Sequence, residues 1–146
     1  PLKGKKAIVT AGPTYEPLDP VRFIGNHSSG KMGIAIAKEL HNRGAAVTLI
    51  LGPTQLPFSE NGIKLKNVTT AEEMYNACLA DFKNDDITIM AAAVADYSPI
   101  EKTETKIKNK ERTLNIELAK TKDILKTLGE KKAERPDTCW FCIGNK

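Results

Sequence analysis

Ile87-Thr88-Ile89-Met90-Ala91-Ala92-Ala93 is the stretch that decides the fold. Its apolar residues fall on both of the alternating sides of an extended chain, so as a strand it would be covered on both faces. Strands of that kind lie at the centre of parallel sheets flanked by helices. Residues 6–11, with the core Ala7-Ile8-Val9-Thr10, read as a second buried strand closed by Gly12-Pro13. Residues 46–51 read as another, closed by Gly52-Pro53, and residues 64–68 and 138–143 as two more. Between them, 31–43 reads as a helix with Gly33, Ile36, Ala37 and Leu40 on one face and Gly44 as its stop. Thr70 is placed to cap a helix over about 71–82, with Glu73 completing a capping box, and 121–133 reads as a third helix. The Pro-rich stretch 13–20 is expected to be a loop, and 113–118 a half-exposed strand. Strands alternating with helices predict an α/β domain: a three-layer, open, mainly parallel sheet.

The fold is Rossmann-like without the G-x-G-x-x-G fingerprint of dinucleotide sites. The first strand leads into Ala11-Gly12-Pro13-Thr14, and the second ends at Leu51-Gly52 with no acidic residue. The 146 residues suit one domain, and 40% apolar with 27% charged residues is ordinary for a globular chain. The net charge of +4, from 22 Lys and Arg against 18 Asp and Glu, is scattered. It lacks the basic stripe of a duplex nucleic-acid binder and suits a small anionic substrate. No apolar run approaches the roughly 20 residues of a membrane span, and no signal peptide opens the chain. Three cysteines without such a signal point to a reducing cytoplasm.

Cys139-Trp140-Phe141-Cys142 spells C-x-x-C, but residues three apart on a strand point to opposite faces, so the pair reads as core. His27 and His41 have no partner at a spacing that makes a triad or a zinc site, and no metal ligands can be named. The chain begins at Pro1 and stops just after a strand-like run, so it reads as one domain of a longer protein, incomplete at its C-terminal end.

In such a sheet, ligands sit beyond the carboxyl ends of the strands. Residues 12–33, the turn at Gly52 and residues 93–110 converge there. Gly25-Asn26-His27-Ser28-Ser29-Gly30-Lys31 fits seven positions of the P-loop pattern, and Met32 breaks the eighth, where Ser or Thr would hold magnesium. Ser28, Ser29, Gly30 and Lys31 at a helix start form a candidate anion site; the alternative is a helix cap and nothing more. Ala91, Ala92 and Ala93 would let a ligand lie against backbone, with Asp96 free to orient a hydroxyl or amide, or else they only pack tightly. Lys106-Ile107-Lys108 places two charges on one side and an apolar anchor on the other, although a Lys-rich run is more often a solvated surface.

Taken in order, Thr10-Ala11-Gly12-Pro13-Thr14, Glu16-Pro17, Asp19-Pro20-Val21-Arg22 and 26–33 resemble the opening of the phosphopantothenate–cysteine ligase family. The resemblance continues through 91–97 and 106–108 and covers nearly the whole chain. It implies a ligase of coenzyme A biosynthesis that joins 4′-phosphopantothenate to cysteine through an acyl-cytidylate made from CTP, with Mg2+ accompanying the triphosphate. By the same resemblance, Asn26 falls on the asparagine that holds the acyl-nucleotide, with Arg22 close by, and Lys106 on the lysine that promotes its formation. Gly12, Ala91 to Ala93, Asp96, Lys120, Thr121 and Lys122 fall on nucleotide-binding segments. The family often has Asn-Pro-Asp-Ile where this chain has Thr121-Lys122-Asp123-Ile124.

The resemblance further implies a homodimer, and fusion behind a decarboxylase domain that would carry the FMN; no flavin site is visible in these residues. Family members continue past Ile143-Gly144 into a Lys-rich closing segment, where this chain has Asn145-Lys146. A chain that ended there would be expected to bind CTP poorly. A nucleotide-binding module without catalysis and a P-loop NTPase are the competing readings.

Overall fold

The computed structural model describes residues 1–132 and, as backbone, Cys139–Cys142. In chain order the elements are β1 (Lys6–Ala11), β2 (Tyr15–Pro17), β3 (Phe23–Gly25), α1 (Lys31–Asn42), β4 (Ala46–Leu51), β5 (Ile63–Asn67), α2 (Ala71–Phe82), β6 (Ile87–Met90), β7 (Tyr97–Pro99), β8 (Leu118–Lys120), α3 (Ile124–Lys132) and β9 (Cys139–Cys142). Five of the strands form one sheet in the order β5-β4-β1-β6-β9, and every pairing in it is parallel. Two antiparallel ribbons stand outside it: β2 with β3, and β7 with β8.

The strand pleat divides the core into two. Ala7, Val9 and Ala11 of β1 face Ile34 and Ala37 of α1, with Leu49 and Leu51 beside them. Ile8, Ile50 and Met90 face the other way, against Met74, Cys78 and Phe82 of α2 and Ile124 and Leu128 of α3. This gives the three layers expected from alternating strands and helices. On α1, Ile34 takes the core place expected of Ile36 and Leu40, which lie at the edge of the same cluster. The capping box of α2 is present: Thr70 accepts from the Glu73 amide, and the Glu73 carboxylate accepts from the Thr70 amide. Glu16, 2% exposed, reaches across from β2 and accepts the Ala71 amide at 2.7 Å, adding a negative charge at the positive end of that helix. No helix among the described residues is long and apolar enough to cross a membrane.

Several boundaries differ from the sequence reading. The strand expected over 87–93 ends at Met90. Beyond it the Thr10 hydroxyl accepts the amides of Ala91 (3.2 Å) and Ala92 (3.3 Å), so a side chain supplements the backbone bond from Ala91 to the Thr10 carbonyl. The loop expected at 13–20 contains β2, whose three residues are too few to show a period. Pairing at 113–118 is reduced to β8 and moved to its end, while β7 lies in a stretch that reads as polar loop. β5 begins one residue early, at Ile63, and α3 begins at Ile124, where the Asp123 carboxylate accepts the Lys126 amide at 2.9 Å. Residues 133, 138 and 143, expected at the ends of α3 and of the last strand, lie outside the described residues, as do the side chains of Cys139 and Cys142.

Counting only the strands of the main sheet, the spatial order is third, second, first, fourth, fifth. The direction of winding therefore reverses between β1 and β6, and a crevice opens beyond their carboxyl ends.

Candidate functional site

At that crevice β1 runs into Gly12 and β6 into the three alanines. The Ala93 amide donates to the Gly12 carbonyl at 2.9 Å and the Thr14 amide to the Ala93 carbonyl at 3.2 Å, so the two segments lie side by side. On the other flank stands the start of α1. Its N-cap, Gly30, has φ +77 and contributes no side chain, and a Cβ there would come within 3.2 Å of the Gly12 nitrogen. The first turn holds no acidic residue, so the positive end of the helix is not neutralised from within. Ser28 and Ser29 hydroxyls sit 3.4 Å and 3.3 Å from the amides of Gly30 and Lys31, long bonds that a stronger acceptor would displace. Thr54 donates to the Ser29 carbonyl at 2.7 Å and ties the loop after β4 to this turn. Between the two loops lies an open cavity of about 600 Å3, lined by Tyr15, Asn26, His27, Ser28, Ser29 and 53–56. Lys31 is exposed at its edge of the helix. The segment follows β3 of a small ribbon rather than a strand of the main sheet, so it is not the strand–loop–helix of a P-loop.

Asn26 joins the two flanks. Its side-chain amide donates to the carbonyls of Val94 (3.1 Å) and Ala93 (3.4 Å). The ribbon that carries it is stiffened by Tyr15 stacked on Phe23, centroids 3.9 Å apart. The buried Thr14 hydroxyl accepts the Ala95 amide at 2.9 Å and holds the alanine segment from beneath. The residues expected to meet here, Gly12, Asn26, Ser28, Ser29, Gly30 and Ala93, do meet.

Arg22 is occupied differently from the expectation of a ligand contact. Its guanidinium pairs with Asp19, through Nε at 2.9 Å and through Nη2, and Nη2 also donates to the Ile107 carbonyl at 3.0 Å. Asp19 accepts three backbone amides besides, from Val21 (2.9 Å), Arg22 (2.8 Å) and Ile107 (3.1 Å). The Arg22 guanidinium and these amides hold its carboxyl far below the usual carboxylate range, against the opposing effect of burial. A depressed folded-state pKa contributes stability above the unfolded value of about 3.9, and that contribution fades as pH falls toward the folded one. Asp19→Asn is therefore expected to unfold at lower urea than the parent at pH 7. The gap between the two should narrow progressively below about pH 4. An unchanging gap between pH 5 and pH 2.5 would show that the carboxylate is not what Asn removes.

A second rim forms where β8 meets β7. Thr121 donates its hydroxyl to the Ala95 carbonyl (2.7 Å) and its amide to the Asp96 carbonyl (2.9 Å), and Lys120 pairs in register with Tyr97. Asp96 is exposed beside them. Lys122 lies 3.6 Å from Glu72 and over the Tyr75 ring, and Lys120, Thr121 and Lys122 line a small cavity of about 170 Å3 with Glu16. Lys106 is exposed on the segment that Asp19 and Arg22 grip. The Cys78 thiol, on the buried face of α2, is pushed up to about 12 by desolvation and stays protonated, so it is no nucleophile. Asp19 and Thr14, quoted only as part of the resemblance, and Thr54 were given no role by the sequence reading. Asp19, three residues before Arg22 in a Pro-rich turn, carried the only local signal.

Residues 2–145 match the family described as DNA/pantothenate metabolism flavoprotein C-terminal domain. A curated protein named cysteine/cysteine sulfinic acid decarboxylase, from an unknown prokaryotic organism, is 47% identical over 143 residues, 98% of this chain and 40% of that protein. The coenzyme A biosynthesis bifunctional protein CoaBC of Haemophilus influenzae is 47% identical over 140 residues, 96% of this chain and 35% of its own length. The chain thus spans two-fifths or less of these relatives. Among solved structures, the crystal structure of the C-terminal domain of CoaBC superposes with a TM-score of 0.79 at 43% identity, covering 98% of this chain and 64% of that one. By the match over nearly its whole length, the chain belongs to the family of DNA/pantothenate metabolism flavoprotein C-terminal domains.

Proposed function

We propose that the chain carries a phosphopantothenate–cysteine ligase activity of coenzyme A biosynthesis, working through an acyl-cytidylate. The observation that carries this reading is the Asn26 carboxamide held across the switch-point crevice, 3.1 Å from the Val94 carbonyl, between a helix start and a backbone of small residues. The names of the CoaBC relatives support it. In the proposed reaction a carboxylate oxygen of 4′-phosphopantothenate attacks the α-phosphorus of CTP, and pyrophosphate leaves. The cysteine amine then attacks the acyl carbon, CMP leaves, and the amide is complete. The start of α1 with Ser28, Ser29 and Lys31 receives anionic oxygens, Asn26 orients the acyl-nucleotide, and Lys106 offsets charge developing at the α-phosphate. Gly12, Ala91, Ala92 and Ala93 provide backbone for the nucleotide to lie on, with Asp96, Lys120, Thr121 and Lys122 on its far side.

Mg2+ would accompany the triphosphate and offset the charge on its oxygens. Among the described residues no group of three or more His, Cys, Asp or Glu is assembled that could hold a metal ion. A homodimer and a fused FMN-dependent decarboxylase domain belong to the same proposal. Pyrophosphate release decides the matter. It should need CTP and phosphopantothenate together, stop at about one equivalent without cysteine, and turn over once cysteine is added. Release with water alone would favour an NTPase, and CTP binding without release a non-catalytic module. Asn26→Asp is expected to keep the first release but slow amide formation about tenfold, a single-residue loss of about 1.4 kcal/mol. Equal slowing of both steps would remove Asn26 from its assigned role.

A further inference from the structure

We infer that Asp19 is a positioning residue for segment 106–108, fixing through Ile107 and Arg22 where the Lys106 side chain stands. The inference deepens the ligase reading above and rests on it for the role of Lys106. Its physical basis is separate. Ile107 is gripped at both of its backbone polar groups by a single ion pair: its amide donates to Asp19 Oδ2 at 3.1 Å, and its carbonyl accepts from Arg22 Nη2 at 3.0 Å. The residue held this way lies between two exposed lysines, Lys106 and Lys108. Fixing its amide and carbonyl sets the plane of the peptide that joins it to Lys106 and of the one that joins it to Lys108.

The grip is built rather than incidental. The Asp19 side chain is fully buried while that of Arg22 keeps 44% of its exposure, so the carboxylate is the fixed member of the pair. Oδ1 of Asp19 takes the amides of Val21 and Arg22, closing a turn that aims the guanidinium at the same Oδ2 that holds Ile107. Charge-assisted bonds of this sort are roughly twice as strong as neutral ones. The segment's other tether nearby is Thr103, whose amide (3.2 Å) and hydroxyl (3.4 Å) donate to the Leu18 carbonyl, the residue beside Asp19. Both tethers thus end on residues 18–22, which lead directly into β3 and Asn26. Residues 18–22 therefore set the distance between the two groups to which the proposed chemistry assigns roles.

Asp19→Asn tests this, since Asn keeps the size and one acceptor oxygen and loses the charge. Two readouts are needed. Amide hydrogen exchange at Ile107 should speed up about tenfold more than exchange at Ile8 and Val9 in β1, whose own rise reports the general loss of stability. In single-turnover pyrophosphate release with CTP and phosphopantothenate, the rate should fall about tenfold with the KM for CTP changed less than threefold. Arg22→Lys, which keeps the charge but not the fork, should give a smaller rise at Ile107 and serves if Asp19→Asn does not fold. Exchange at Ile107 that rises no more than at Ile8 and Val9 in both variants overturns the inference, and so does parental pyrophosphate release once Ile107 has risen beyond them. If the parent itself releases no pyrophosphate, it is the ligase reading that fails, and the exchange result alone upholds or overturns the grip.

Discussion

Lys106→Gln is expected to slow the first pyrophosphate release by about 100- to 1,000-fold, the usual consequence of removing one preorganised charge donor from a developing transition-state charge. Glutamine has nearly the reach of lysine and can still donate a hydrogen bond, so what it removes is chiefly the positive charge. The backbone beneath it should not move, because Ile107 is held by Asp19 and Arg22 rather than by the Lys106 side chain. The loss should therefore appear in the rate at saturating CTP and leave the KM for CTP within a few-fold. Rapid-quench measurement of pyrophosphate separates this variant from Asn26→Asp, which should release the first equivalent normally. A Lys106→Gln rate within threefold of the parent would remove Lys106 from the chemistry and leave the Lys-rich run as a solvated surface.

The order of legibility along this chain follows the physics of each element. Strands β1 and β4 could be read because they are buried on both faces, and β6 because it is buried on one and half-buried on the other; such covering forces a continuous apolar run such as Ala7-Ile8-Val9. Helices α1 and α2 were marked by Gly44 and by the Thr70–Glu73 box, local signals that tertiary packing left intact. The two ribbons could not be read. β2, β3, β7 and β8 are three residues each, shorter than the four or so a period of two needs, and their pairing depends on contacts across the fold. The convergence of 12–33 with the alanine segment followed from sheet topology alone, and the Asn26 bond to Val94 agrees with it. The work of Asp19 and Arg22 was hidden because Ile107 lies 88 residues from Asp19, and no local pattern records such a pairing. Resemblance to a family could name Arg22 but not say that its guanidinium is spent on Asp19 and a carbonyl.

Gly52→Ala is expected to destabilise the domain by about 3 kcal/mol and to disorganise the crevice with it. A Cβ on Gly52 would overlap the Pro13 carbonyl oxygen outright and stand 2.9 Å from the Pro13 carbonyl carbon. These are backbone atoms, so no rotamer change can relieve the clash. Pro13 cannot retreat cheaply either. It follows Gly12, which sits at φ +77 with its own Cβ position 3.2 Å from the Gly52 oxygen, and it bridges to Ala93 on the opposite side. The Gly52 amide, meanwhile, continues the sheet by donating to the Ala11 carbonyl at 2.9 Å. Moving either loop must therefore break the ladder at the end of β1 or pull Ala93 away from Asn26. Urea unfolding followed by fluorescence should show the midpoint fall with little change in slope. Gly4→Ala is the contrast: its φ is +81, unlike that of Gly52, and nothing lies within 4 Å, so a conformational cost of about 1–2 kcal/mol applies there without a clash. A Gly52→Ala loss within about 0.5 kcal/mol of zero would mean that the two loops can separate without cost. The close apposition of the β1 and β4 loops would then not be what shapes the crevice.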